Sequence, residues 1–275
     1  MLRERISEDV YVFTSEVYAQ VTAGAVVSPD GAAVIDTLAF PSETLEILDF
    51  VQNRIGVPVR YVINTHYHAD HTYGTCLFTG AEVIAHAECR RLLDTTGRAG
   101  LKSAKSQTPD LAHIEIILPE TIMTQGPLFL HLGKKTLELN CSPGHSPDLI
   151  TVLVREDRIL FASDTVMPVP HVVDGSLDDL RHSLEIIPSL GLENIVQGHG
   201  EIILRGEIDE AIKSNIRYLD AVRRKAEAAV KRGKPRDTMR AIEIEDCGKS
   251  RILLGGLAAQ LHTANLFALY DRMTA

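Results

Sequence analysis

The sequence predicts an α+β fold, two mixed β-sheets with helices on their outer faces. Strand-like apolar runs alternate with helical patterns in two comparable halves of the 275-residue chain. Hydrophobic residues make up 45% of it, enough to fill a sizeable core between two sheets. The residues with chemistry to offer sit in equivalent places. His66, Asp164 and His199 each come directly after an apolar run, and His145 follows another after a short turn. Strand ends gather on one edge of a sheet core, so side chains far apart in sequence can converge there.

The elements follow in order. Val10-Tyr11-Val12-Phe13 is a short strand. Ala25-Val26-Val27 and Ala33-Val34-Ile35 flank Ser28-Pro29-Asp30-Gly31, whose Asp-Gly pair marks a hairpin turn. Ser42 is placed to cap a helix whose apolar positions Leu45, Leu48, Val51 and Ile55 recur at helical spacing. Val59–Ile63 is mostly apolar, the mark of a strand covered on both faces, and it leads into a histidine cluster.

In the second half, 128–139 and 150–154 read as strands, and Glu156-Asp157 turns the chain into Ile159-Leu160-Phe161. Residues 177–190 read as helix, and Ile195-Val196 as a short strand ending at Gly198-His199-Gly200. The tail is helical over 208–231 and 252–273. Residues 1–275 thus read as one domain, with 201–275 a helical C-terminal extension packed on it. Segment 94–119 has weak periodicity, and a lid, an oligomer arm and a plain surface connection all stay open for it.

Charge and composition exclude several classes. The formal charge of −9 repels phosphate backbones, so no nucleic-acid partner is expected. The basic run 217–236 also carries Asp220 and Glu227 and reads as a solvated helix face. None of the four cysteines forms a CxxC pair, which suits reduced buried thiols in a cytosolic protein. No apolar segment follows Met1-Leu2-Arg3-Glu4-Arg5, and no run approaches membrane-span length. A soluble cytoplasmic protein is expected, acting on a small-molecule substrate without membrane contact. The leucines at 253, 254, 257, 261, 266 and 269 could pack on their own domain or on a second copy, so a homo-oligomer stays open.

The chemistry concentrates in Thr65-His66-Tyr67-His68-Ala69-Asp70-His71, with His145, Asp164 and His199 downstream. A lone loop histidine is usually just a polar loop residue. A cluster is costly as mere surface, because neighbouring imidazoles repel when protonated. Seven N and O donors suffice for two divalent metal ions, of which zinc is the commonest fit, with iron or manganese as alternatives. The reading gives His66, His68 and His145 to a first metal and Asp70, His71 and His199 to a second. Asp164 is the natural bridge between them.

The motif His66-X-His68-X-Asp70-His71, followed by His145, Asp164 and His199 in that order, resembles the metallo-β-lactamase superfamily. The resemblance runs from about Val10 to His199. It implies an αβ/βα sandwich of two mixed sheets, with a dinuclear site at one edge. It also implies that Asp36, in Ala33-Val34-Ile35-Asp36-Thr37, accepts the other N–H of a ligating imidazole. A turn-forming Asp after a strand is the plainer alternative.

Aspartate at 164 resembles glyoxalase II, lactonases, phosphodiesterases and small esterase-like hydrolases. The dinuclear zinc β-lactamases carry Cys there, or Ser with an extra His. The chain lacks the Glu at position 68 and the flavodoxin domain of flavodiiron proteins, the inserted domains of the nucleases, and evident glutathione-binding basic motifs after His199. The stretch 66–86 and the tail 261–266 look most like a broad group of small single-domain hydrolases.

The expected function is therefore that of a metal-dependent hydrolase. A dinuclear site and its bridging hydroxide would cleave an ester, thioester, lactone or related acyl bond, with Asp70 and Asp164 as catalytic residues. Asp70 would orient the nucleophile and carry its proton to the leaving group. The alternative is a mononuclear non-haem iron dioxygenase of the persulfide dioxygenase type. Lesser alternatives are a phosphodiesterase, a β-lactamase and a non-catalytic metal-holding ligand binder. Against the last, a structural zinc needs only four closed ligands.

Some residues have weaker claims. His171, in Met167-Pro168-Val169-Pro170-His171, could contact substrate, though an exposed loop histidine is the plainer reading. Tyr67 and Tyr73 either point to substrate or pack inward. His86 and His262 read as satisfied buried or boundary histidines, and Cys76 and Cys141 as small buried hydrophobes.

Overall fold

The structure, a computed structural model, describes residues 1–275. The first sheet contains β1 (Leu2–Arg5), β2 (Val10–Thr14), β3 (Thr22–Ser28), β4 (Gly31–Ile35), β5 (Val59–Ile63), β6 (Glu82–His86) and β7 (Thr121–Met123), hydrogen-bonded in that order. It is antiparallel through β4 and parallel from there to β7. The second sheet contains β8 (Leu128–Leu132), β9 (Lys135–Cys141), β10 (Ile150–Val154), β11 (Ile159–Ser163), β12 (Asn194–Gln197) and β13 (Ile203–Leu204). Only its β11–β12 pair is parallel. Both sheets are mixed, as the alternating pattern predicts.

The two inner faces share one core. Val10, Val12, Val26, Ala33, Ile35, Ile63 and Ile84 of the first sheet pack against Leu137, Leu139, Ile150, Val152, Phe161 and Val196 of the second. Strand alternation sends the intervening residues outward. On the first sheet's outer face, Ala25, Val34 and Val62 meet Ile47, Phe50 and Val51 of the segment formed by α1 (Pro41–Asp49) and a wider π-helical turn over Phe50–Ile55. On the second sheet's outer face, Leu160, Ala162 and Ile195 meet α5 (Leu177–Ile186), α6 (Ile208–Lys231) and α7 (Ala258–Thr274). The short helices α2 (Ala69–Thr72), α3 (Ala87–Leu92) and α4 (Arg98–Lys105) lie between strands of the first sheet in chain order.

Several local expectations need correction. Ser42 does not cap α1: Phe40 holds the N-cap position, and Pro41 starts the helix, where its missing N–H costs nothing. The packed face is accordingly Thr44, Ile47 and Val51, and Leu45 is 49% exposed. The tail helix begins at Ala258 rather than 252. Leu254, Gly255 and Gly256 all take positive φ (53°, 64° and 96°), which breaks any helix there. β5 is covered on both faces as expected, through Val62 on one and Ile63 on the other, and only Arg60 near its start is exposed.

Cys141 is exposed and Cys76 half-buried, so neither is a fully buried hydrophobe, while Cys89 and Cys247 are buried. Segment 94–119 supplies Leu101, Leu111, Ile114 and Ile116 to a small core with Tyr73, Ala85 and Cys89. Leu254, Leu266 and Leu269 are buried within the chain's own fold. The basic run is a solvated helix face, with Arg223 paired to Asp178 and Lys225 to Asp246. No helix is long and apolar enough to cross a membrane.

Candidate metal centre

Five strand ends deliver the site. β4 ends into Asp36, β5 into His66, β9 into His145, β11 into Asp164 and β12 into His199. Each connection is short, so little freedom separates the strand from the side chain it presents. After β5, Asn64, Thr65 and His66 are fully buried, and α2 starts directly after His68, turning Asp70 and His71 back toward the core. Thr37 fixes that turn, its N and Oγ1 both donating to the His71 carbonyl at 2.9 and 3.0 Å. Gly144 packs so tightly under α5 that an added Cβ would lie 2.3 Å from the Leu180 Cα, and its φ of +147° excludes a side chain in any case.

The seven donors fall into two groups. His66 Nε2 and His145 Nε2 each lie 3.0 Å from His68 Nδ1. Asp164 Oδ2 faces this trio, 3.1 Å from His145 Nε2 and 3.9 Å from His66 Nε2. Asp164 Oδ1 faces the other way, 3.4 Å from His71 Nε2 and 3.6 Å from His199 Nε2. Asp70 Oδ2 completes the second group, 3.5 Å from His199 Nε2. The groups His66, His68, His145, Asp164 and Asp70, His71, His199 each keep their donor atoms within 4.8 Å of one another.

These residues fit a metal. Donors about 2.0–2.1 Å from a tetrahedral cation lie roughly 3.3–3.4 Å from each other, within the spread seen here. His71 Nε2 and Asp164 Oδ1 are buried with no hydrogen-bond partner. Such orphaned polar atoms are costly unless something else satisfies them.

Every imidazole is held from behind, which sets its ring and tautomer. His71 Nδ1 donates to Asp36 Oδ2 at 2.8 Å, His145 Nδ1 to the His171 carbonyl at 2.9 Å, and His199 Nδ1 to the Ala19 carbonyl at 2.9 Å. His68 is turned the other way round, its Nε2 donating to Asp174 Oδ2 at 2.9 Å. His66 Nδ1 lies 3.2 Å from Thr65 Oγ1. Asp36 sits at φ +58° and also accepts from Thr65 N (2.8 Å) and Thr65 Oγ1 (2.7 Å).

The two groups differ electrostatically. Burial, reinforced by neighbouring imidazoles, pushes the His66 pKa well down, and burial lowers His145 to about 3. Burial opposes charge on His71 and His199 too, but the nearby carboxylates outweigh it and raise both. Burial alone would raise Asp164; His145, His199 and His71 hold it well below the usual carboxylate range. The second group is thus the more negatively biased of the two.

Asp36→Asn is expected to weaken metal affinity about 10–100-fold, because it turns one acceptor of the His71–Thr65 pair into a donor. Competition with a chromogenic chelator measures this. An unchanged affinity would mean that other contacts orient His71.

The weaker candidates resolve individually. His171 is not the exposed loop histidine of the plainer reading. It is half-buried with its ring 5.7 Å from that of His145, because its own carbonyl is tied to that residue. Tyr67 lies against the His68 ring at 4.5 Å, donates its hydroxyl to Asp174 at 3.0 Å and is anchored through its N to Asp148 at 2.8 Å. Tyr73 packs inward. His86 caps α3 by accepting from Glu88 N. His262 donates to the Ile242 carbonyl and meets the Tyr218 hydroxyl at 3.0 Å.

Sequence reasoning misses Asp174 and Asp148, because nothing local links them to the cluster. Asp174 lies 106 residues from the His68 ring that it holds.

A two-sheet sandwich with a histidine–aspartate cluster on one edge, able to hold a metal, defines the class. The chain belongs to the Metallo-beta-lactamase superfamily, whose family model matches residues 18–199. It is 27% identical over 148 residues to "Thioesterase pkgB" of Emericella nidulans, covering 54% of this chain and 36% of that protein. It is 30% identical over 159 residues to "Lactamase-like protein nscB" of Trichophyton rubrum, covering 57% and 42%. It thus spans less than half the length of either curated relative.

Among solved structures, a metallo-beta-lactamase from Pontibacter korlensis superposes with TM-score 0.63 at 18% identity, covering 77% of this chain and 97% of that one. The sec-alkylsulfatase Pisa1 from Pseudomonas sp. gives 0.75 at 14% identity, covering 98% and 50%. At these identities both show the fold alone.

Proposed function

We propose that this protein is a dinuclear metal hydrolase of acyl bonds, with thioesters as the leading substrate class and zinc as the leading metal. One observation carries the dinuclear reading: the two oxygens of Asp164 face two separate donor groups. His66, His68 and His145 would hold one cation and Asp70, His71 and His199 the other, with Asp164 between them. When bound, such cations bring the pKa of water close to neutrality and polarise the oxygen that gains charge.

The chain's own groups supply the rest. Asp36, Asp174, the carbonyls of His171 and Ala19, and the Thr65 hydroxyl keep the five imidazoles in register, so the site is organised before substrate arrives. Asp70 is half-buried at the cluster, where its carboxylate can orient a water and pass its proton to the leaving group. The thioester preference rests on the name of one relative, "Thioesterase pkgB".

Metal quantification on the purified protein, beside a panel of acyl esters, thioesters, lactones, phosphodiesters and β-lactams, tests this reading. The expected result is two cations per chain. Thioester turnover should disappear on chelation and return with zinc. A single iron per chain with oxygen consumption would replace the hydrolase by a dioxygenase.

A further inference from the structure

Lys249 is a half-buried cation that the chemistry above does not use. Its ammonium donates to Asn215 Oδ1 at 2.7 Å and makes no other hydrogen bond, and no carboxylate lies within 4 Å of it. Asn215 is itself buried and tied to the Met167 carbonyl at 3.0 Å, so the ammonium is held in place. Burial, helped by nearby Arg217 and opposed by Glu210, lowers the Lys249 pKa to about 8. Arg217 is itself paired with Glu210.

Lys249 lines a cavity of ≈ 460 Å³. Gln20, Ser214 and Asn215 give this cavity polar walls, and Met167, Ile203 and Leu253 give it apolar ones. Glu201, the acid in the lining, is exposed and does not reach Lys249. Residues 252–255 line it too, where Ile252 is 77% exposed and Leu254 holds φ +53°, unusual for a branched side chain.

The cavity adjoins the metal centre. Gly200, in its wall, directly follows His199 and donates its N to the Gln20 carbonyl at 2.9 Å. The preceding residue, Ala19, holds the His199 ring. The paired 19–20 and 199–200 backbone steps are therefore a common edge of the cavity and of the cluster.

We propose that this cavity takes the anionic end of the substrate, a carboxylate or phosphate on a short apolar chain, with Lys249 as its counter-ion. The proposal rests on the acyl-hydrolase reading. An ammonium with donors to spare in an apolar-walled space favours a charged acceptor over a neutral one.

The test compares N-acetylcysteamine thioesters of adipic, suberic and sebacic acids with the same thioesters capped as methyl esters. Wild type should prefer a free acid in kcat/KM by about tenfold to a hundredfold. Lys249→Met should bring that ratio close to one, and Lys249→Arg should keep a preference. Calorimetry with octanoate and octyl phosphate reads binding independently of turnover. The tighter of the two identifies the head group, and Lys249→Met should weaken it.

A wild-type ratio near one overturns the proposal, as does a Lys249→Met variant that keeps the preference or binds both anions as wild type does. If no thioester turns over but anion binding still depends on Lys249, the reaction assignment fails and the anion pocket stands.

Discussion

Asp164→Ala is expected to abolish most turnover and to cut the metal content of the purified chain. Replacing a residue that merely supports a ligand typically costs about 10–100-fold in metal affinity or activity. Asp164 faces both donor groups, with four imidazole nitrogens between 3.1 and 3.9 Å from its two oxygens. Its loss should therefore cost more than about 100-fold in kcat/KM. Elemental analysis and steady-state kinetics on one preparation decide the matter. A variant that keeps both metals and near wild-type turnover would sink the bridging assignment.

Gly198→Ala should be comparably severe, although it adds one methyl group and removes no donor. A Cβ at 198 would lie 1.8 Å from Asp164 Oδ1, 2.7 Å from the Ser163 carbonyl carbon and 2.8 Å from Asp164 N. The backbone cannot slide away. Gly198 N donates to the Ser163 carbonyl at 2.8 Å, and its own carbonyl accepts from Thr22 N at 2.9 Å. Relief must come from swinging the Asp164 carboxylate off both donor groups or from parting the strand ends.

Overpacking of this kind costs about 1–3 kcal/mol, so a lower melting temperature should accompany the metal loss. Gly206→Ala is the matched control, since nothing lies within 4 Å of its added Cβ. Equal metal content and activity in the two alanine variants would refute the argument.

The hairpin at Asp30-Gly31, the buried strand after it and the 208–231 helix were all legible, because turn chemistry and hydrophobic period act over a few residues. The start of α1 lies two residues before the one that Ser42 as cap implies, because Pro41 takes the first helical position and Phe40 the N-cap. The strands Leu2–Arg5 and Ile203–Leu204 left no periodic signal. One is exposed throughout and the other has two residues, so edge pairing rather than burial makes them strands.

The seven donors were legible for a different reason. Histidines and aspartates gathered in short motifs at strand ends are hard to explain as surface, and each motif can be read without its partners. What holds those donors could not be read. Asp174 reaches the His68 ring across 106 residues, and the Ala19 carbonyl reaches His199 across 180. The Lys249 ammonium stands out only once folding leaves it half-buried, without a carboxylate, beside the residue that follows His199.

By itself, then, the sequence determined the layers of this protein and the chemical types in its cluster, since period and residue chemistry are local properties. Only the tertiary structure decided which oxygen of Asp164 faces which imidazoles, what steadies each ring, and where an unpaired cation meets a cavity. Those are distances between residues far apart in the chain, and they exist only after the two sheets have closed on their common core.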